Sequence, residues 1–161
     1  MKSLAIIGAI CFALSGCVVV SSSGSAPAAQ QASANSGPVA AGSAGAQINA
    51  IRARVGLGGL QRNARLDAIA RVHAQDMAKN KFFAHQGSDG STAGKRATRG
   101  GYRWCTIGEN ISKGYSSQAR TIEGWRTSPG HYRNMVNNKA QHFGMAKVGE
   151  YWVMLVAAKN C

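Results

Sequence analysis

His142-Phe143-Gly144-Met145-Ala146-Lys147-Val148 and Tyr151-Trp152-Val153-Met154-Leu155-Val156-Ala157-Ala158, joined by Gly149-Glu150, decide the fold. Both runs are rich in β-branched, aromatic and other apolar residues, and the two residues between them suit a type II′ hairpin. A lone hairpin is unstable in water, so at least a third strand must join it, and the segment around Ile107 to Ile111 is the candidate. Upstream of it the patterning is helical, so the expectation is an α+β domain, helices segregated onto a small antiparallel sheet.

Helical spacing begins near Gln47, where Ile48, Ile51 and Val55 share a face before Gly56, Gly58 and Gly59 break it. A longer helix follows Asn63, a good N-cap residue. Its inner side is Leu66, Ile69, Ala70, His73 and Met77, with Arg65, Asp67, Arg71 and Gln75 facing out. His73, on the apolar side, reads as a satisfied core histidine. A short helix carrying Lys95, Arg96 and Arg99 fits between Thr92 and the paired glycines at 100 and 101. After a flexible stretch from Ser112, Ser117 caps another helix that buries Ala119, Ile122 and Trp125. That helix stops before Pro129, because the residue preceding proline is pushed out of the α region. Ser128 then caps a short helix opening at Pro129, with His131 in its first turn, where the helix dipole disfavours imidazolium.

The N-terminus is different in kind. Lys2 followed by an apolar run from Leu4 to Leu14 reads as a signal peptide over residues 1–16, too short to span a bilayer. Leu14-Ser15-Gly16-Cys17 resembles the bacterial lipoprotein box, which makes Cys17 the lipidated first residue; a plain secretory signal with a chance cysteine is the alternative. Val18 is not the aspartate of an inner-membrane retention signal, so the expected destination is an outer membrane where the cell has one. Residues 17–45 carry no charge and consist largely of Ser, Ala, Gly and Gln, the composition of a flexible tether. The remainder, 46–161, is about 115 residues, a common size for one domain.

Cys11 leaves with the signal and Cys17 is spent on lipid, so Cys105 and Cys161 remain as a pair in an exported protein, where a disulfide is favoured. Two zinc thiolates are the weaker reading, since neither cysteine has a paired ligand spacing. The chain carries 19 Lys plus Arg against 6 Asp plus Glu, net +13, falling to +12 once Lys2 is removed. Such a balance attracts polyanions. For an exported protein these are anionic envelope lipid, lipopolysaccharide or cell-wall polymer. The charges are scattered and no nucleic-acid motif accompanies them, so no nucleic acid is expected.

Three segments distant in sequence place polar residues beside tight turns: His85, Glu109 and His131. Two imidazoles and a carboxylate are the ligand set of a hydrolytic zinc site with a position left for water. They equally suit a hydrogen-bonded cluster in which Glu109 orients a histidine.

In order along the chain, Ile48-Asn49 through Arg52, Gly56 and Leu60, then Leu66, Ala70, His73-Ala74 and Asp76-Met77-Ala78, then Phe82-Phe83-Ala84-His85, resemble the bacterial branch of the CAP superfamily, which takes in cysteine-rich secretory, antigen 5 and pathogenesis-related 1 proteins. Gly108-Glu109-Asn110-Ile111, then Trp125 with Ser128-Pro129-Gly130-His131 and Asn134, then Phe143-Gly144-Met145 and Tyr151-Trp152-Val153, are similar to its later motifs. The resemblance covers residues 46 to 161. It implies an α-β-α sandwich with a central cleft lined by His85, Glu109 and His131, with Asn110 and Ser128 beside them. The fourth cleft residue of animal members, a glutamate three residues after the tryptophan, falls on Ser128; Glu123 lies two before Trp125 and is not its equivalent. Divalent metal occurs at the two histidines in some relatives, so weak, pH-dependent zinc at His85 and His131 is the only cofactor implied. The expectation is a non-enzymatic binding module for a lipid, glycan or peptide. A metal-assisted hydrolase of peptide or ester bonds, and a purely structural role for the three residues, are the rivals.

Overall fold

The computed structural model describes residues 42–159. The signal peptide, Cys17, most of the tether and Cys161 lie outside the described residues. Among the described residues, five helices, α1 (Ala44–Ala53), α2 (Ala64–Asn80), α3 (Ala93–Arg99), α4 (Gln118–Arg126) and α5 (Pro129–Met135), are interspersed with four strands, β1 (Gln61–Arg62), β2 (Thr106–Lys113), β3 (His142–Val148) and β4 (Tyr151–Ala158), in the order α1-β1-α2-α3-β2-α4-α5-β3-β4. The sheet order is β1-β3-β4-β2.

The C-terminal hairpin has the expected bounds. Val148 pairs with Tyr151 across the two-residue turn, and Gly149 has φ 55° while Glu150 does not enter the positive region, as a type II′ turn requires. The third strand is β2, antiparallel to β4 with Glu109 opposite Leu155. β1 was not expected and pairs parallel to β3, so the sheet is mixed rather than purely antiparallel. Two exposed residues carry no alternation for a sequence reading to detect.

β4 is central and buried along its whole length, and its alternation builds two cores. Trp152, Met154 and Val156 pack with Ile48 and Ile51 of α1, Ile122 and Trp125 of α4 and Met135 of α5. Tyr151, Val153, Leu155 and Ala157 pack on the other face against Leu66, Ile69, Ala70, Ala74 and Met77 of α2 and Ala97 of α3. This is the α-β-α sandwich. Gly144 of β3 is where the second layer touches: a Cβ there would sit 2.3 Å from the Leu66 carbonyl carbon and 2.4 Å from the Asp67 nitrogen. The outer edge of β2 is covered by side chains, with Trp125 Nε1–H donating to the Ile111 carbonyl at 3.1 Å and Asn134 Nδ2–H to that of Glu109 at 3.0 Å. An edge with its carbonyls engaged this way is a poor template for another strand.

Some local expectations shift. α1 starts at Ala44, inside the segment read as tether, because the Ser43 hydroxyl caps it by accepting from Ala46 N–H. It ends before Val55, which is therefore 48% exposed rather than on the buried face. Ser112, expected in a flexible stretch, belongs to β2, and Ala119 is exposed while Thr121 takes the buried place in α4.

Candidate functional site

The site is built around two adjacent residues of β2 whose side chains leave opposite faces of the sheet. Glu109 points to the α2–α3 side. One carboxylate oxygen, Oε1, pairs with His85 Nδ1 at 2.9 Å, and the other, Oε2, accepts from Arg96 Nη2–H at 2.7 Å. Asn110 points to the α5 side, donating from Nδ2 to the His131 carbonyl at 3.0 Å while its Oδ1 accepts from Asn134 at 2.8 Å. The two histidines are thus fastened to neighbouring positions of one edge strand.

His85 is delivered by the turn after α2. Lys81 closes that helix in the left-handed conformation, φ 55°. Phe82 then packs against the core, while Phe83 lies against Tyr151 with ring centroids 6.4 Å apart. The Ala84 carbonyl accepts from His73 Nε2 at 3.0 Å, and that of His85 accepts from Arg96 Nη2–H at 3.0 Å. Arg96 also donates to the Ser91 carbonyl at 2.8 Å. The His85 side chain itself remains 59% exposed. A cleft of about 470 Å³ lies between Phe83, His85, Ser112, Lys113, Tyr115 and His131. A second hollow of about 450 Å³, on the other side of His85, reaches Glu109, Gln86, Thr92 and Ala93.

Electrostatics follow from this packing. Burial disfavours ionisation of Glu109, but the His85 hydrogen bond and the nearby Arg96 and His73 charges outweigh it, holding the carboxyl below its ordinary range. His131 is pushed down first by burial and then by His85, so it stays neutral at physiological pH. The direction matches the helix-start expectation, yet burial rather than the dipole is the leading cause. His73 is lowered by burial, which its proximity to Glu109 opposes.

The structure brings His85, Glu109, Asn110 and His131 to one edge of the sheet. Asn110 is fully buried and holds the His131 backbone. Ser128 occupies the N-cap position of α5 but makes no side-chain cap hydrogen bond, and it lines neither hollow beside His85. Glu123 is spent on an exposed two-pronged pair with Arg126, at 2.7 and 2.6 Å.

A metal ligand set of His85, Glu109 and His131 does not fit this geometry. Both Glu109 oxygens are engaged, one by a buried guanidinium, and among the described residues no group of three or more His, Cys, Asp and Glu side chains converges on a metal position. A catalytic zinc uses three protein ligands, and here two imidazoles are offered. Glu109 instead takes the orienting role, with His85 Nε2 left facing out.

Sequence reasoning missed Arg96 and Asn134. Arg96 was read among scattered surface charges, yet it is 6% exposed and is the hub that ties α3, the His85 turn and β2 together. The available signal was its setting: Gly94 and Ala97 make that face of α3 too small and apolar for a solvated arginine.

A three-layer sandwich with a histidine–carboxylate pair at an edge strand and a second histidine from α5 is the framework of this domain. The chain belongs to the CAP family, the cysteine-rich secretory protein family, whose model matches residues 46–154. It is 32% identical over 113 residues to the uncharacterized protein YkwD of Bacillus subtilis, an alignment covering 69% of this chain and 44% of that protein. The uncharacterized membrane protein YlbC of the same organism is 29% identical over 104 residues, 65% of this chain and 30% of YlbC. The chain therefore spans less than half the length of these curated relatives. Among solved structures, an extracellular SCP-domain protein of Bacillus anthracis superposes with a TM-score of 0.70 at 28% identity, over 72% of this chain and 39% of that one. An outer surface protein of Borrelia burgdorferi reaches 0.66 at 19% identity, over 71% and 88%, a likeness of fold alone.

Proposed function

We propose that this protein is a non-enzymatic binding module of the cell envelope whose His85–His131 cleft takes a glycan, peptide or lipid headgroup. One observation carries the reading: the Glu109 carboxylate is fully committed to His85 and Arg96, so the cleft offers imidazoles but no free carboxylate base, and among the described residues no serine or cysteine pairs with either histidine. The flanking rings favour an uncharged face of a sugar or peptide, since Phe83 is 48% and Tyr115 39% exposed on either side of the imidazoles. The neutral His131 imidazole donates and accepts as such a ligand requires.

Export supports this setting, with lipid on Cys17 as the membrane tether and the outer membrane as destination. The Bacillus anthracis relative is extracellular and YlbC is a membrane protein. Cys105 pairing with Cys161 belongs to the same reading: Cys105 N–H donates to the Ala158 carbonyl at 3.0 Å, which sets the backbone of Cys105 beside the chain three residues before Cys161.

The test is calorimetric titration of the full chain with cell-wall glycan fragments, short envelope peptides and lipid headgroups. Saturable binding to one of them, lost in His131→Ala and Tyr115→Ala at unchanged folding, is expected. No saturable binding to any of the three, or chelator-sensitive hydrolysis of them by the full chain, overturns the proposal.

A further inference from the structure

Away from the cleft, a cavity of about 500 Å³ opens between α2 and α3, with Ile69, Val72 and His73 on one wall and Arg96 and Arg99 on the other. Val72, at its mouth, is 59% exposed. At its floor, two side chains each keep a buried polar atom without a hydrogen-bond partner: His73 Nδ1 and Arg96 Nε. His73 is fully buried and Arg96 6% exposed.

The chemistry of the two orphans is complementary. His73 Nε2 faces the Ala84 carbonyl and so carries the ring proton, which leaves a lone pair on Nδ1. Arg96 uses both terminal nitrogens on Ser91, His85 and Glu109, which leaves its Nε–H as an unused donor. A buried group in this condition costs stability that a partner would restore. The site therefore lacks one acceptor and one donor, and a single hydroxyl is both.

We infer that this cavity is a second ligand site, distinct from the cleft, for a neutral molecule carrying a hydroxyl on an apolar body: the oxygen accepts from Arg96 Nε–H, its proton goes to His73 Nδ1, and the body packs on Ile69 and Val72. An anion suits it less, in spite of three arginines on the walls. The His73 lone pair repels it, Arg65 already donates to the Gly101 carbonyl and Arg99 is paired with Asp89 at 2.7 Å. Access to the two covered atoms runs past Ser88, Asp89 and Ser91, whose tie to α3 through Arg99 is an exposed ion pair of the weak kind.

The experiment titrates cyclohexanol into the full chain and follows the Ile69 and Val72 methyl signals by NMR. Saturable shifts are expected, with affinity at least about tenfold weaker for cyclohexanecarboxylate, which keeps the body but carries a charge. Val72→Asp, an exposed change that spares the core, should weaken cyclohexanol by a similar factor, and His131→Ala should leave it unaltered. Absence of saturable shifts, leaving water as the sole partner of the two atoms, overturns the inference. So does carboxylate binding as tight as cyclohexanol, or Val72→Asp binding at full strength. Loss of binding in His131→Ala would merge this site with the cleft and overturn its independence.

Discussion

Arg96 is the residue on which the site depends most. Its guanidinium faces a Glu109 carboxylate that is 8% exposed, so removing either partner strands a buried charge, a change that costs about 3–5 kcal/mol. Arg96→Met should lower the unfolding free energy in urea by that amount, and adding Glu109→Gln should restore part of the loss. A single variant within about 1 kcal/mol of wild type would show that the pair is not the clamp described here. Acid sensitivity follows from the same neighbourhood. His73, His131 and His142 all titrate below the ordinary 6.5 in the fold, and Glu109 below 4.5. In each case the unfolded chain binds the proton more readily, so stability rises with pH. The histidine contribution is complete above 6.5 and is lost as pH falls through the depressed folded values; that of Glu109 is complete above 4.5 and is lost below it. Urea midpoints should therefore fall steadily from pH 7.5 to pH 4, and a midpoint that is flat or rises on acidification contradicts the burial of these groups. At this scale the sequence was only half legible. His85 and His131 stand beside turns that announce them and Glu109 lies within β2, whereas burial of one arginine among several is decided by which face of a seven-residue helix meets β2.

At the scale of elements, the hairpin was legible and β1 was not, for opposite reasons. Fifteen strand residues in β3 and β4 form two runs rich in β-branched, aromatic and other apolar residues, and a Gly-Glu turn fixes their register. β1 is two residues long and pairs with β3, flanked by bonds from Gln61 N–H to the Gln141 carbonyl at 2.9 Å and from Asn63 N–H to that of Phe143 at 2.8 Å. It is a consequence of α2 docking, and Gly144 is what permits that docking. Gly144→Ala should push β3 off the start of α2, against backbone atoms with no side chain to rotate away. Overpacking of this kind costs about 1–3 kcal/mol or more. The melt should lose stability accordingly, whereas Gly58→Ala, with no atom within 4 Å of the added methyl, should change it little. Equal stability of the two variants would contradict the contact. The α4–α5 connection is a weaker case: proline placed the break correctly, but Ser128 makes no side-chain cap bond, since a residue type states a propensity and not a contact.

For the whole molecule, charge and covalent closure act together. A net charge of +13 on 161 residues predicts that the chain without the lipid proposed for Cys17 is drawn to anionic surfaces. The attraction is spread over the surface, so it depends on screening rather than on any single contact. The Debye length falls from about 10 Å at 0.1 M salt to about 3 Å at 1 M. Cys17→Ser, which lacks the acceptor for lipid, should sediment with phosphatidylglycerol vesicles at low salt, release as salt rises, and ignore phosphatidylcholine vesicles at any salt. His131→Ala should behave identically, since the cleft takes no part. Salt-independent binding, or equal binding to neutral vesicles, would mean that apolar insertion rather than charge brings the domain to the membrane. So high a net charge also opposes the compact state by self-repulsion, and the disulfide proposed between Cys105 and Cys161 would counter unfolding. A loop of that length stabilises by about 4 kcal/mol in the chain-entropy model. Reduction should lower the unfolding free energy by that order and leave vesicle binding intact, because the charges survive reduction while the constraint on the unfolded chain does not. If vesicle binding were lost along with the disulfide, the arrangement of the basic residues in the folded state, and not their sum, would be what the membrane reads.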